Sequence, residues 1–347
     1  LEHTDGQLDV DPLLDGAAAV IDQNVRDAAL ECTMREMLGI ANLDHARYGE
    51  AKDQFRRVLE IRRTLKPGDA AALAAAEHNL ARVYWKTSRY DAALDHYERS
   101  RGLRAELVGR DPTSARRLDL ARTHHHLAAT HRGRGAYDRA EALYRQSLAT
   151  RQALMPANHP AIGNSLNSLG LCLSDQLRYE EAIPYLRASL DIVEIHFGRQ
   201  NWRYASPLFN LAYAQYRLGR LEAGAASVEE VLRIRRRMWP DGTHPEVARA
   251  RTLSAAITLA RPESSAAALE EAWVWLGDAE ATQRRTFPRG HPDLAETLRV
   301  KAEWLDRTDP AAARATREEA IVMLRSHFPP DHPRVVELRS GASPAGR

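Results

Sequence analysis

The sequence predicts an all-α solenoid of stacked helix pairs, because one pattern of residues recurs at a nearly constant spacing. Leu-Gly or Leu-Ala dipeptides begin at Leu38, Leu80, Leu127, Leu169 and Leu211, which are 42, 47, 42 and 42 residues apart. Ten residues after each leucine comes Tyr or Leu, thirteen after it Ala or Gly, and seventeen after it Phe, Tyr, Leu or Val. Four positions that keep step over five units indicate repeats that pack on their neighbours.

The fourth repeat shows how each unit should fold. Leu166, Leu169 and Leu173 lie at the spacing of one helical face, and a second amphipathic stretch follows a tight turn. Gly170 in the first stretch and Ala182 in the second carry almost no side chain, so the two helix backbones can approach closely. Each repeat is therefore expected to be a helix hairpin.

These residues resemble tetratricopeptide repeats, whose helix pairs carry Leu-Gly, a later Tyr, a small residue and then an aromatic. The period exceeds the usual length of about 34 residues by about one extra turn per helix. With the His-Pro pairs at 159–160, 244–245, 291–292 and 332–333, the chain is similar to the kinesin light chain variety. The resemblance covers roughly residues 30 to 340 and implies a right-handed superhelical solenoid of about seven antiparallel helix pairs. A HEAT-like array of similar period is the alternative, but the Leu-Gly, Tyr and Ala spacing favours tetratricopeptide repeats.

The expected organisation follows from where the repeat pattern starts and stops. The acidic, aperiodic residues 1–10 predict a linker, and a helix pattern begins at Asp11-Pro12. The helices of the first repeat are expected near 27–45 and 48–65, and residues 341–347 are expected to be a frayed tail. We therefore assign a linker and an N-terminal capping helix to 1–26, the array to 27–332, and a C-terminal capping helix and tail to 333–347.

Composition limits the partners and the compartment. Lys and Arg number 49 against 47 Asp and Glu, a formal charge of +2, so there is no reason to expect binding to nucleic acid or to a membrane surface. The two cysteines, Cys32 and Cys172, are expected to be small buried hydrophobes in a reducing compartment. There is no signal-peptide pattern and no apolar run near about 18 residues, so we expect a cytoplasmic protein.

No catalytic motif occurs in the sequence. It contains no Gly-rich phosphate loop after a strand, no His-Glu-x-x-His and no Gly-x-Ser-x-Gly. The cluster His124-His125-His126 is the nearest to a metal site, but adjacent helical residues point about 100° apart and cannot close on one ion. We therefore expect no enzyme activity, no metal and no cofactor in these residues.

The resemblance implies a concave groove lined by the first helix of each pair, at −2, −1, +2, +5 and +6 from the repeat leucine. Asparagine suits a peptide backbone, Arg and Lys favour carboxylates, and aromatic side chains supply apolar contact. The alternative is an ordinary solvated helix face. Carried over by register, with Arg122 and Asn164 one turn earlier on their helices, the groove residues are His78, Asn79, Arg82, Trp85, Lys86, Arg122, His125, His126, Arg132, Asn164, Asn167, Ser168, Phe209, Asn210, Tyr213, Tyr216 and Arg217.

The leading functional hypothesis is a non-enzymatic protein–protein interaction scaffold that binds a peptide in this groove. The basic residues Arg82, Lys86, Arg122 and Arg132 have no acidic counterpart at the same positions in the second and third repeats, which predicts an acidic peptide. The alternative is a regulatory region of a larger protein. The stretch from Asp11 is similar to the join in bacterial serine/threonine protein kinases that carry such repeats after the catalytic domain, and the sensor half of a transcriptional regulator is a further possibility. In either case a domain would precede Leu1, and the oligomeric state stays open.

Overall fold

The computed structural model describes residues 10–65, 68–288, 290–330 and 332–340, and these form sixteen α-helices without a strand. Almost all of the predicted linker and tail, and the Lys66-Pro67 end of the first repeat, lie outside the described residues. The helices are α1 (Asp11–Asn24), α2 (Ala28–Asp44), α3 (Tyr48–Leu65), α4 (Ala70–Lys86), α5 (Tyr90–Arg110), α6 (Ser114–Gly133), α7 (Tyr137–Leu154), α8 (Pro160–Asp175), α9 (Tyr179–Phe197), α10 (Trp202–Arg217), α11 (Leu221–Met238), α12 (Pro245–Ala260), α13 (Ala266–Thr286), α14 (Pro292–Leu305), α15 (Pro310–Arg325) and α16 (Pro333–Ser340).

The helices pack as consecutive pairs, from α2 with α3 to α14 with α15, and α1 and α16 flank the seven pairs. The prediction of an all-α fold of about seven helix pairs is confirmed, and the first pair falls within a residue of its predicted bounds. The described residues group into two compact units, divided between Leu154 and Met155. Unit 1 contains α1 to α7 and unit 2 contains α8 to α16, whereas the sequence predicted one undivided array.

The His-Pro pairs are helix starts. In each, the histidine Nδ1 accepts a hydrogen bond from the backbone N–H two residues later, at 3.1–3.2 Å, and the proline occupies the first helical position, where a missing N–H costs least. The four capping histidines are His159, His244, His291 and His332. Where the motif is replaced by Asn201-Trp202, the Asn201 side chain accepts from the N–H of Arg203 at 3.0 Å instead. The chemistry of the cap is therefore kept although the residue changes.

A serine ties the two helices of a pair together in three successive repeats. The Oγ atoms of Ser100, Ser147 and Ser189 each donate to a carbonyl oxygen 26 residues earlier, at 2.7–2.8 Å. All three serines are buried. A buried hydroxyl with a partner stabilises by about 1 kcal/mol, and the same hydroxyl without one would be costly. The bond therefore helps to set the position of each second helix along its first.

The residue after the repeat leucine marks the closest approach of the helices. A Cβ atom placed on Gly170 would lie 2.8 Å from Leu186 Cδ2 and 3.3 Å from the Ala182 carbonyl oxygen. A Cβ placed on Gly39 would lie 2.7 Å from the Phe55 ring. The small side chain predicted to allow close packing at Gly170 is thus required there.

We expect Gly170→Ala to destabilise unit 2 by about 1–3 kcal/mol, because the new methyl group overlaps Leu186 and the Ala182 carbonyl. Gly277 is the matched control, since it is an exposed glycine inside α13, and a methyl group added there would meet no atom within 4 Å. Gly277→Ala should instead stabilise by about 0.5–1 kcal/mol through helix propensity. Urea unfolding of both variants measures the difference, and equal effects would contradict the packing argument.

Candidate functional site

Unit 1 carries one arginine on each of four consecutive helices, and the charges of all four act on the ring of His126. These are Arg82 of α4, Arg104 of α5, Arg122 of α6 and Arg151 of α7. Burial, and then the positive charges of all four guanidinium groups, lower the pKa of His126 to about 3. Arg122 is exposed and Arg82 half-buried, whereas Arg104 and Arg151 expose 4% and 8% of their surface. We call these four residues the arginine cluster.

Three arginines of the cluster, Arg82, Arg104 and Arg122, have few acidic partners among the described residues. Arg104 Nη1 donates to the Asp119 carbonyl oxygen at 2.7 Å and to Thr123 Oγ1 at 2.5 Å, both uncharged acceptors. Arg122 pairs with the Asp119 carboxylate at 2.7 Å. Within the described part of the chain, this is the one ion pair formed by any of Arg82, Arg104 and Arg122. Burial, and then repulsion by Arg122, lower the pKa of Arg104 to about 10. A net positive charge is therefore held inside unit 1.

Three histidine rings of unit 1 pack against one another and against two tyrosines. His126 stacks on Tyr97 with ring centres 5.8 Å apart and meets His78 edge-on at 5.0 Å, while His125 meets Tyr144 edge-on at 5.3 Å. We call His78, His125 and His126 the imidazole floor. Burial is the first cause that holds the pKa of each ring well below its ordinary value, so the floor is neutral at pH 7. The buried Nδ1 atoms of His78 and His125 have no hydrogen-bond partner among the described residues.

Unit 2 holds a pocket that is partly open to solvent. Side chains of α8, α10, α12, α14 and α16 line it, so four repeats and the terminal helix contribute to one concavity. Three carboxylates and two guanidinium groups face it together with an apolar wall. The lining residues are Leu171, Ser174, Asp175, Phe209, Asn210, Tyr213, Arg249, Thr252, Leu253, Pro292, Asp293, Glu296 and Arg334.

The terminal helix α16 closes one side of this pocket. Its apolar residues Val335 and Leu338 are buried in a core with residues of α14 and α15, as expected of a capping helix. Its polar residues reach the first helices of earlier repeats. Arg334 pairs with Asp175 of α8 at 2.8 Å, and Glu337 accepts from Arg217 of α10 at 2.6 Å. The face predicted as an open groove in the fourth and fifth repeats is therefore covered by part of the same chain.

The structure separates the predicted groove residues by their exposure. Lys86, Arg122 and Asn164 are exposed, and Asn79, Arg82, Trp85, His125, His126, Arg132, Asn167, Ser168 and Tyr213 are half-buried. The five that are buried are His78, Phe209, Asn210, Tyr216 and Arg217. The buried members belong mainly to the fifth repeat, where burial limits the surface that they can offer to a partner.

The residues of the fifth repeat are engaged with one another. Asn210 Nδ2 donates to Asn167 Oδ1 at 2.9 Å. Two side-chain amides that were expected to bind a peptide backbone are therefore hydrogen-bonded to each other. The Arg217 guanidinium lies 4.8 Å from the Tyr179 ring centre and donates to Tyr213 Oη at 3.0 Å. Tyr216 is 1% exposed and belongs to the core. The repeat register assigned these residues to the correct helix, but their polar groups are bonded to neighbouring side chains of the same protein.

Sequence reasoning missed Arg104 and Arg151 because it considered the first helices only, and these arginines lie on second helices. A signal was present. An arginine stands 24 residues after the repeat leucine in four of the five regular repeats, at Arg62, Arg104, Arg151 and Arg235. Arg235, like Arg104, donates to a backbone carbonyl of the next first helix, at 2.6 Å. The position therefore ties neighbouring repeats together, and in unit 1 it also supplies charge to the site.

The tetratricopeptide repeat family model matches residues 30–106 and 119–195. Within these two segments the chain carries tetratricopeptide repeats. The solved TPR-like repeats of a Podospora anserina kinesin light chain are 18% identical, with a TM-score of 0.50 over 62% of this chain and 99% of that one. The Rap conjugation gene regulator of plasmid pLS20, solved in complex with the Phr* peptide, is 12% identical, with a TM-score of 0.59 over 94% of this chain and 85% of that one. At these identities the similarity concerns the fold alone.

Among curated relatives, the clustered mitochondria protein homolog of Aspergillus niger is 25% identical over 142 residues. The match covers 41% of this chain and spans 11% of that relative's length. This chain thus matches only a small part of that larger protein.

Three further observations concern chemistry that the site could hold. Within the described ranges, no three His, Cys, Asp or Glu side chains come together as a metal site would need. No described helix has both the length and the apolar composition needed to cross a membrane. Cys32 and Cys172 are both buried, as predicted for small core residues.

The imidazole floor predicts acid sensitivity. The folded state keeps these rings neutral, whereas the unfolded chain protonates them below about pH 6.5. Stability is therefore present above that pH and is lost as the pH falls below it, by about 1.4 kcal/mol per pH unit for each buried ring. Urea unfolding between pH 7.5 and 5.5 measures this before carboxylates titrate. His126→Phe should reduce the pH dependence of the unfolding free energy by the equivalent of about one bound proton. A stability independent of pH in this range would contradict the prediction.

The Asp175–Arg334 ion pair predicts a charge-swap result for α16. Asp175→Arg or Arg334→Asp alone should place like charges together, and the amides of α16 should exchange hydrogen faster, by a local loss of about 1 kcal/mol. The double variant should recover slow exchange because the pair is restored in reverse. Arg339→Asp, an exposed change on the same helix, is the control. If the double variant exchanges as fast as both singles, the pair does not hold α16.

Proposed function

We propose that this chain is a protein-interaction scaffold whose unit 1 binds an acidic peptide segment at the arginine cluster. The observation that carries the proposal is that four consecutive helices each hold an arginine whose positive charge contributes to lowering the pKa of His126. Tetratricopeptide repeats are built to present such a composite surface, because each helix pair adds side chains to the face of its neighbour.

The charge of the site supports an acidic partner. Of Arg82, Arg104 and Arg122, only Arg122 forms an ion pair within the described part of the chain, with the Asp119 carboxylate. Lys86 is exposed on α4, with its Nζ 5.5 Å from the Trp85 ring centre, and adds a further cation near a half-buried aromatic surface. A concavity with uncompensated positive charge attracts anionic ligands and discriminates against cationic ones.

Three features support a peptide as the ligand. Asn79 is half-buried beside Arg82 in the register, and its amide can both donate to and accept from a peptide backbone. Trp85 offers rigid apolar area for a side chain of the ligand. The Rap regulator, which shares this fold, was solved with a peptide bound.

We expect the double variant Arg82→Glu/Arg122→Glu to lose at least about 100-fold in affinity for peptides with a central glutamate, because two attractive charges become repulsive. The probe is a degenerate peptide library with Glu, Gln or Lys fixed at the centre, and the measurement is fluorescence polarisation. Arg117→Glu, an exposed change on α6, is the matched control and should bind as the unchanged protein does. Equal binding of the Glu and Lys libraries would overturn the proposal.

The same site predicts a gain of affinity. Asp119→Asn removes the carboxylate that pairs with Arg122 but keeps the carbonyl oxygen that accepts from Arg104. The affinity for the Glu library should rise about two- to fivefold, as expected for one nearby charge of about 0.5–1 kcal/mol. A loss of affinity with an unchanged melting temperature would show that Asp119, and not Arg122, meets the ligand.

The acidic partner, the cytoplasmic location and the larger kinase or regulator context remain predictions from the sequence. The full-length reading frame tests the last of these directly, since a kinase domain or a DNA-binding domain would precede Leu1.

A further inference from the structure

We infer that the pocket of unit 2 is a site for a guanidinium group, and that its ligand is a peptide segment that carries an arginine side chain. In the structure, Arg334 of α16 supplies such a group from within the chain. The arginine of the ligand takes the place of Arg334. This site is separate from the arginine cluster of unit 1, so the inference goes beyond the proposed function.

The first step is the charge of the lining. Three carboxylates and two guanidinium groups line the pocket, those of Asp175, Asp293, Glu296, Arg249 and Arg334. Arg249 lies 3.4 Å from Asp293, and Glu296 has a further partner 2.8 Å away in Arg299. Arg334 is the only one of these cations that α16 contributes. Without it, three carboxylates would face one guanidinium group in the lining, so the repeats themselves form an acidic pocket.

The second step is the position of the Arg334 side chain among these carboxylates. Its Nη2 atom donates to Asp175 Oδ1 at 2.8 Å. Burial raises the pKa of Asp293 and of Glu296, but nearby cations outweigh burial, and Arg334 is one of the cations that keep each pKa below its ordinary value. One guanidinium group therefore stabilises the ionised form of more than one carboxylate of the pocket.

The third step is the wall beside the charges, which favours guanidinium over ammonium. The Arg249 Cζ atom lies 4.7 Å from the Phe209 ring centre, and the Arg217 Cζ atom lies 5.7 Å from the Tyr213 ring centre. Both aromatic residues line the pocket, together with Leu171. A guanidinium group is planar and weakly hydrated, and it stacks on aromatic rings while its aliphatic stem covers apolar surface. We therefore expect the pocket to prefer arginine to lysine.

The fourth step is that Arg334 can be replaced without unfolding the array. Asp175 exposes 7% of its side chain and belongs to α8, whereas Arg334 exposes 38% and belongs to the short terminal helix α16. The apolar residues of α16, Val335 and Leu338, pack in a small core with α14 and α15. The acceptor is thus fixed in the repeats, and the donor lies on a peripheral helix. A tethered group competes with a ligand at a high local concentration, so Arg334 lowers the apparent affinity of the pocket.

The pocket also differs in preference from the site proposed in unit 1. A glutamate side chain that enters it would meet three carboxylates, and like charges in a desolvated site are strongly unfavourable. Asp175 and Asp293 should therefore exclude the acidic segments that unit 1 is proposed to bind. The two units would then select peptide segments of opposite charge.

The experiment uses degenerate peptide libraries with arginine, lysine or glutamine fixed at the centre, measured by fluorescence polarisation on the full chain at constant ionic strength. Arg334→Gln should bind the arginine library about three- to tenfold tighter than the unchanged protein does, because the internal competitor is gone. The same variant should prefer the arginine library to the glutamine library at least about tenfold, as expected for a charge-assisted hydrogen bond. Arg334→Gln/Asp175→Asn should lose most of that preference. Arg339→Gln, an exposed change on α16, is the matched control and should bind as the unchanged protein does.

A second measurement follows α16 in the unchanged protein. A saturating concentration of the arginine library should speed hydrogen exchange of the α16 amides, because Arg334 gives up Asp175 to the ligand. The glutamine library should leave this exchange slow. Binding of the arginine library with no change in α16 would show that the peptide enters elsewhere, and the inference would be wrong.

The remaining outcomes are equally decisive. Equal binding of the arginine and glutamine libraries by Arg334→Gln overturns the inference, and so does an arginine preference that Asp175→Asn leaves unchanged. Nα-acetylarginine amide is added as a competitor. If it displaces the arginine library at a concentration near the library's own dissociation constant, a free guanidinium compound is sufficient and the peptide part is overturned. The proposed function fails separately, since it depends on the Glu library, whose binding Arg334→Gln should not alter.

Discussion

The close approach of the two helices in each pair is the constraint on which the rest of this structure depends. The position after the repeat leucine faces the residue seventeen positions beyond that leucine, and at Gly39 and Gly170 a methyl group would already overlap Phe55 or Leu186. Because protein interiors are close-packed, a large side chain at the later position requires a Gly or Ala at the earlier one. In three of the pairs, the hydrogen bond of a buried serine then helps to fix the position of the second helix along the first. Each pair so formed presents its first helix to one side.

The same packing explains how unit 1 can hold charge in its interior. Burying a guanidinium group is unfavourable unless polar groups replace water around it. Arg104 finds a backbone carbonyl and a threonine hydroxyl on the next helix, and Arg235 finds a carbonyl at the equivalent place in unit 2. These bonds tie neighbouring repeats together, yet they leave the charge of Arg104 itself uncompensated. The neutral histidines beneath it fit this arrangement, since protonated rings would add to the repulsion.

The two units put one architecture to different uses. In unit 1 the first helices present arginines, an exposed lysine and a half-buried tryptophan. In unit 2 the corresponding helices, together with α16, enclose a pocket whose charges are paired within the chain, as between Arg334 and Asp175. Register alone treats these faces as equivalent. What differs is whether a later helix supplies the opposite charge.

The sequence by itself determined the helix pairs and the bounds of the first pair, because these depend on local periodicity and on small residues at fixed spacing. It also placed Arg82 and Arg122 in one candidate site. Only the tertiary structure showed that Arg104 and Arg151 join them, that Asn167 and Asn210 bond to each other, and that α16 covers the fifth repeat. Those outcomes depend on contacts between helices that are distant along the chain, such as the 159 residues between Asp175 and Arg334. Periodicity shows which face a residue occupies, but only the packed structure shows which charge lies opposite it.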